Sequence, residues 1–258
     1  LDAIEEWSFD EANKKLYLIP GENIPDSSNV RVRVRTKIVN IEFSDNLEFR
    51  NLHFFAGAFK FFQASYILLE DSKFSHSWEA GMSYLIPGID AGWERGNFIK
   101  GGTNNTVRNV IFEHINDATT LGFRASMNPA VENALFQYND WFKNTVWAPG
   151  ASDNFTNGNK WYDDTSIVGG STFRYVTMDQ NHIGGLQPGL GSLVEYARIQ
   201  NQYINIDGGG IQRTQGNVIN STTRYSWLLN TNRNGMRLDS QCGGTDAVIH
   251  NLVSAGNK

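Results

Sequence analysis

Three aspartates, Asp179, Asp207 and Asp239, recur through the C-terminal half of the chain among histidine and arginine, and they are the residues best equipped for chemistry. A pair of carboxylates about 5–9.5 Å apart suffices for acid–base hydrolysis. Carboxylates converging on one point would instead gather Ca2+, a hard cation that takes oxygen ligands. Elimination alpha to a carboxylate has other needs, a base for the proton and a cation for the developing enolate. His182 or His114 is a base of the right type, and Arg124, Arg213 and Arg237 supply positive charge. The candidate catalytic set is therefore Asp179, His182, Asp207, Arg237 and Asp239, with Asp163-Asp164 as a further acidic pair. Asp239 has a second reading, in which it closes a turn by bonding backbone amides.

The elements that position these residues follow from an internal repeat, which decides architecture before any single motif does. Thr172-Phe173-Arg174-Tyr175-Val176-Thr177-Met178 is echoed by Leu193-Val194-Glu195-Tyr196-Ala197-Arg198-Ile199. The same six-residue phrase starts at Phe49, Leu69, Val107 and Val131, and returns more loosely at Thr223 and Ile249. Its first, fourth and sixth positions are mostly apolar, and period-two alternation signals strand. Its third position is Asn51, Asp71, Asn109, Asn133, Tyr175, Tyr196, Tyr225 and Asn251. A polar residue breaking the alternation there predicts a sharp bend between two short strands, and Asn tolerates the left-handed backbone such a bend needs. Stacked Asn side chains would then bond from coil to coil, satisfying polar groups that point toward the core.

The second position alternates in sign: Arg50, Glu70, Arg108, Glu132, Arg174, Glu195, Arg224, His250. Equivalent positions of stacked parallel strands lie ~4.8 Å apart. Opposite neighbours at that spacing attract by roughly 0.2–1 kcal/mol each, so the column reads as an exposed register ladder. A third strand per coil is marked by glycine: Leu121-Gly122-Phe123-Arg124, Gly184-Gly185-Leu186-Gln187, Gly209-Gly210-Ile211-Gln212 and Asn234-Gly235-Met236-Arg237. There Phe123, Leu186, Ile211 and Met236 are expected inward, and Arg124, Gln187, Gln212 and Arg237 outward.

Repeated Asn–strand–bend–strand resembles the right-handed parallel β-helix of the pectate-lyase-like superfamily. The closing segment Asn230-Thr231-Asn232-Arg233-Asn234-Gly235-Met236-Arg237-Leu238-Asp239, with Gly243-Gly244-Thr245, resembles uncharacterised β-helix repeat proteins. The resemblance implies an all-β, single-stranded right-handed solenoid of about nine coils and three parallel sheets. It also implies an extended polysaccharide lying along one sheet. The Arg-X-Pro-X-X-Arg segment of calcium pectate lyases and the Asn-Thr-Asp, Gly-His-Gly and Arg-Ile-Lys segments of polygalacturonases are missing, so no reaction is carried over.

Residues 1–29 stand outside the repeat. Trp7-Ser8-Phe9-Asp10 and Leu16-Tyr17-Leu18-Ile19 predict a hairpin that caps the first coil of a β-helix over 30–258, because an open parallel edge invites pairing with another chain. Val30-Arg31-Val32-Arg33-Val34-Arg35 alternates as an opening strand. Two long insertions, about 75–103 and 141–170, leave the repeat after the same strand. They hold or border Trp78, Trp93, Trp141, Trp147 and Trp161. Long loops without repeat are usually functional, and aromatic faces pack on sugar rings. The expected substrate-binding set is those five tryptophans with Arg124, Gln187 and Gln212. The phrase restarts at Ile249 and the chain stops at Lys258 without an evident cap, so it reads as a fragment, or as a unit that assembles end to end or laterally with other chains.

A formal net charge of −5 argues against a nucleic-acid partner, whose phosphates demand clustered Lys and Arg. No apolar run is long enough for a membrane helix. The single cysteine, Cys242, excludes an internal disulfide. Asn-X-Ser/Thr triplets at Asn104, Asn154 and Asn220 are candidate glycosylation sites, although this much asparagine supplies such triplets by chance. No histidine spacing suggests zinc. Two functions stay open. One is an extracellular or surface protein that engages polysaccharide, with Ca2+ if it is a lyase. The other is a non-catalytic structural or adhesive module of a larger filament, fibre or cell-surface assembly.

Overall fold

The computed structural model describes residues 6–21, 26, 30, 31, 35, 37–77, 96–115, 119–124, 126–139, 153–157, 170–181, 185–189, 191–202, 209–213, 220–238 and 246–257. The chain divides into two units, Leu1–Val34 and Arg35–Lys258. In the first, β1 (Trp7–Asp10) and β2 (Lys15–Leu18) pair antiparallel with Trp7 opposite Leu18. Asp10 closes the turn between them by accepting from the Asn13 backbone N–H (3.0 Å) and side-chain amide (2.8 Å).

The second unit contains β3 (Lys37–Glu42), β4 (Glu48–Arg50), β5 (His53–Phe55), β6 (Ala58–Phe62), β7 (Leu68–Glu70), β8 (Lys73–Ser75), β9 (Asn97–Lys100), β10 (Thr106–Arg108) and β11 (Ile111–Glu113). It continues through β12 (Thr119–Arg124), β13 (Ala130–Glu132), β14 (Leu135–Gln137), β15 (Asp153–Asn157), β16 (Thr172–Arg174), β17 (Thr177–Asp179), β18 (Leu186–Gln187), β19 (Leu193–Glu195), β20 (Arg198–Gln200), β21 (Gly209–Arg213), β22 (Thr222–Leu229), β23 (Asn234–Leu238) and β24 (Val248–Ala255). Among the described residues all pairings in this unit are parallel. One ladder of eight strands runs β23-β21-β18-β15-β12-β9-β6-β3. A second path climbs β4-β7-β10-β13-β16-β19-β22 and descends β20-β17-β14-β11-β8-β5, with β24 added to β22. The expected opening strand over Val30–Arg35 falls largely outside the described residues, and the ladder begins at β3. β9 falls within the first expected insertion and β15 within the second, and both pair in the eight-strand ladder; most other residues of the two insertions lie outside the described residues.

The short strands follow from the spacing of inward residues. Phe49, Phe54, Phe59, Ala64, Leu69 and Phe74 recur every fifth residue, and between them the chain turns a corner. Corner residues are left-handed: Asn46, Asn51 and Ala56 in one coil have φ of 58°, 55° and 60°, and Asn104, Asn109 and His114 in another have 55°, 53° and 51°. All eight third-position residues, from Asn51 to Asn251, have φ between 49° and 55°. A residue in this conformation ends one strand and redirects the next, which is why the phrase breaks at its third position.

Inside, side chains of one column stack on those of the rung below. Phe54, Phe74, Phe112 and Phe136 lie ring on ring at 4.5, 5.0 and 4.9 Å, and Met178, Ile199 and Leu228 continue the column. Phe74, Phe112 and Phe136 are fully buried. Phe123, Leu186 and Ile211 point inward as expected, and Met236 packs against the same core. The exposed Asn ladder does not serve this core. Its amides bond outside, Asn133 to Asn109 (2.9 Å) and Asn109 to Asp71 (3.0 Å). Different asparagines do the buried work. Asn139 accepts from Ile115 N–H (2.8 Å) and donates to the Phe112 carbonyl (3.1 Å). Asn181 repeats that staple on Asn139 N–H and the Phe136 carbonyl, and Asn97, Asn105 and Asn257 repeat it elsewhere. Each satisfies an N–H and a C=O that the corner would otherwise leave buried and unpaired.

Candidate functional site

The outward columns are the surfaces on which a ligand would meet ordered side chains. The charge ladder has the expected register, with Arg50 opposite Glu70, Glu70 opposite Arg108, Glu132 opposite Arg174 and Arg174 opposite Glu195. It is less exposed than expected. Side-chain exposure of Glu195 is 4%, because Arg174 (2.6 Å) and Arg224 (2.7 Å) close over it from the rungs on either side. Glu70 is held the same way between Arg50 and Arg108. Burial alone would raise the Glu195 pKa, but hydrogen bonds from Arg224 and Arg174 outweigh it and hold the carboxyl below its ordinary value. The bond to Glu195 likewise raises Arg174.

Beyond the third-position bend, the second outer face presents Lys73, Glu113, Gln137, Asp179, Arg198, Gln200 and Trp227. Asp179 accepts from the Gln200 amide (2.8 Å) and from the Asn201 amide (2.9 Å), and Arg198 donates to Gln200 (2.6 Å). Glu113 is pulled below its ordinary value, chiefly by its hydrogen bond from Lys73 (2.6 Å) and further by Gln137 (3.1 Å), against the effect of burial. Glu113 is thus shifted away from the raised pKa that a general acid uses near neutrality.

Each expected site residue can be located or set aside. Asp179 is on β17 and faces outward, half-buried. Arg237 lies on β23, half-buried. Gln212, expected outward and available, is 8% exposed, because every residue of β21 is covered on both faces. Arg213, a candidate cation, is buried too, donating to Ser192 Oγ (2.9 Å) and Thr223 Oγ1 (2.8 Å). Arg124 and Gln187 lie in ladder strands β12 and β18, and their side chains are outside the described residues. His182, Asp207, Asp239, Asp163, Asp164, Trp78, Trp93, Trp141, Trp147 and Trp161 also lie outside them. Asn104 and Asn220 are exposed corner residues with φ of 55° and 50°, so the fold has its own use for asparagine there. Asn154 falls in β15. Among the described residues no three His, Cys, Asp or Glu side chains gather as metal ligands.

The sequence reading missed a second corner column one side further on. It runs His76, His114, Tyr138, Gln180, Asn201 and Asn230, all with φ between 50° and 57°. His76 stacks on His114 at 5.1 Å and His114 on Tyr138 at 5.5 Å. The signal was present, since each of these residues follows a third-position residue by five. Tyr175, Tyr196 and Tyr225 likewise stack in the first column, at 5.0 and 5.4 Å.

These ladders define an all-β parallel solenoid, a β-helix. No protein-family model and no curated protein matches the sequence. Two solved structures are similar, both of QnrB1, a plasmid-mediated fluoroquinolone resistance protein. The trypsin-treated variant has a TM-score of 0.28 at 10% identity, and the full-length form has 0.16 at 11%. Each match covers 78% of this chain and 92% of the other.

Proposed function

We propose that this chain is a non-catalytic structural or adhesive module of a larger extracellular or surface assembly, a filament, fibre or coat. The observation that carries this reading is that outward acids are spent on neighbouring rungs. Glu70 and Glu195 lie under paired arginines, Glu113 is tied to Lys73, and Asp179 to Gln200 and Asn201. A carboxylate so held is a poor proton donor or nucleophile but a good inter-rung clamp. In the same reading the β-helix is right-handed, of the pectate-lyase type, with three sheets and about nine coils.

A second reading, glycan engagement, has its own support. Trp227 is 43% exposed and sits directly across the ladder from Arg198, with Gln200 one alternation further on. An exposed indole beside amide and guanidinium donors suits a sugar ring. One experiment separates the two. The protein is incubated with a panel of neutral, carboxylated and sulfated polysaccharides, and new reducing ends and ultraviolet-absorbing unsaturated ends are followed. We expect no product from any substrate. Affinity electrophoresis on the same panel reads binding. Retardation that Trp227→Ala abolishes supports glycan engagement, and any product overturns the non-catalytic reading.

A further inference from the structure

We propose that Tyr175, Tyr196 and Tyr225 form an oxidative cross-linking site, in which stacked phenols couple into an intrachain dityrosine when a haem peroxidase and hydrogen peroxide are supplied. The rings of Tyr175 and Tyr196 lie 5.0 Å apart and 11° from parallel, and those of Tyr196 and Tyr225 are 5.4 Å apart and 10° from parallel. Their exposures are 53%, 38% and 38%, so an oxidant reaches all three.

The fold has little need of tyrosine here. These residues have φ of 55°, 53° and 49°. Left-handed backbone is strained for an ordinary residue, and Asn or Asp visits it most readily. Lower in the same column Asn51, Asp71, Asn109 and Asn133 occupy the corner. Each stacked aromatic pair returns only a modest gain beyond its buried area. Three strained corners are set against only two stacked pairs, so stacking does not by itself account for the tyrosines, and three exposed phenols in register are left to be explained by what they do.

The chemistry balances. Each of two phenols gives one electron and one proton to the oxidised haem, and one hydrogen peroxide is reduced to two waters over the cycle. The two phenoxyl radicals join through one ortho carbon on each ring. The hydrogens on those carbons move to the oxygens as the rings regain aromaticity, so the product has lost two hydrogens and no other group. Partners held in place react as though at molar concentration or above, whereas separate molecules at roughly micromolar concentration rarely meet. Tyr175–Tyr196 is the principal link, being the closer pair and the one farther from the Arg224 guanidinium, which lies 5.8 Å from the Tyr225 ring. It ties two adjacent rungs covalently.

The test treats the purified full chain with haem peroxidase and hydrogen peroxide at two protein concentrations tenfold apart. We expect dityrosine fluorescence per molecule that does not change with dilution, a monomer on a denaturing gel, a mass lower by two hydrogens, and a peptide joining the Tyr175 and Tyr196 segments. Tyr196→Phe keeps the ring and the fold but removes the central phenol, and should cut intrachain fluorescence about tenfold. Tyr138→Phe, whose ring stacks on His114, should leave it unchanged. Equal yield in Tyr196→Phe, or cross-links found only between molecules and falling with dilution, would overturn the proposal.

Discussion

Replacing Glu195 with Gln removes one negative charge from beneath two arginines while keeping shape and volume. In the wild type, Arg174 Nε (2.6 Å) donates to one carboxylate oxygen and Arg224 Nε (2.8 Å) to the other, and the side chain is 4% exposed. A hydrogen bond to a charged group contributes about 1.5–3 kcal/mol against about 0.5–1.5 for a neutral one. The glutamine oxygen still accepts from one arginine, but its NH2 faces the other arginine's donors and accepts nothing, so one bond weakened and one lost cost about 2–4 kcal/mol. The arginines are 39% and 38% exposed and can turn to water. That screening trims the loss to about 1–2 kcal/mol. For a domain of this size each kcal/mol moves the melting temperature by about 2–4 °C, giving a fall of roughly 2–8 °C. The control is Glu132→Gln, whose side chain is 30% exposed and 3.8 Å from Arg174. It should cost less than about 0.5 kcal/mol, as ordinary surface pairs do. Thermal unfolding followed by circular dichroism at neutral pH reads both. Equal losses in the two variants would refute the reasoning, since burial beneath two rungs is all that separates them. Acid titration adds a check. Because the Glu195 carboxyl is held below its ordinary value, its stabilisation is present above the usual carboxylate range and disappears as pH falls through the lowered folded value.

Asn139→Leu should destabilise by about 2–4 kcal/mol, because it strands Ile115 N–H and the Phe112 carbonyl in the core, whereas Asn109→Ala on the exposed ladder should cost under about 1 kcal/mol. Urea midpoints of the two variants measure the difference. His76 is held below the ordinary imidazole pKa by burial first and by neighbouring His114 second. The unfolded chain then binds the proton more readily. Stability from this group is full above the unfolded value and is lost as pH falls toward the lowered folded one. His76→Gln should therefore lose less melting temperature than wild type between pH 7.5 and 5, which parallel melts at the two values will show.

Stacking was legible in the sequence because both signals it rests on are local. Arg50, Glu70 and Arg108 announce a column by alternating charge, and Asn51, Asp71 and Asn109 mark the bend by their tolerance of positive φ. The second corner was hidden because Ala56, His76, Tyr138 and Gln180 share no side-chain chemistry, only the conformation that five-residue spacing imposes. Asn139 and Asn181 look in sequence like any other asparagine. What sets them apart from Asn109 and Asn133 is which side of the coil they face: they come one residue after the left-handed Tyr138 and Gln180 and are buried, instead of sitting on the bend itself. Gln212 and Arg213 were misread for a related reason. Alternation says which face a residue takes but not whether that face is covered, and β21 is covered on both.

The central claim is that residues far apart in sequence are vertical neighbours on successive rungs. Glu48, Thr172 and Val248 belong to one outward column, linked in register through Leu68, Thr106, Ala130, Leu193 and Thr222. Pulsed electron–electron resonance on two spin-labelled double-cysteine variants reads the spacing directly. Four rung steps from Glu48 to Thr172 should give about 19 Å, and seven steps to Val248 about 34 Å, at ~4.8 Å per step. Two narrow distributions near those values are the expected result. Broad distributions, or distances that do not grow with rung number, would contradict the account.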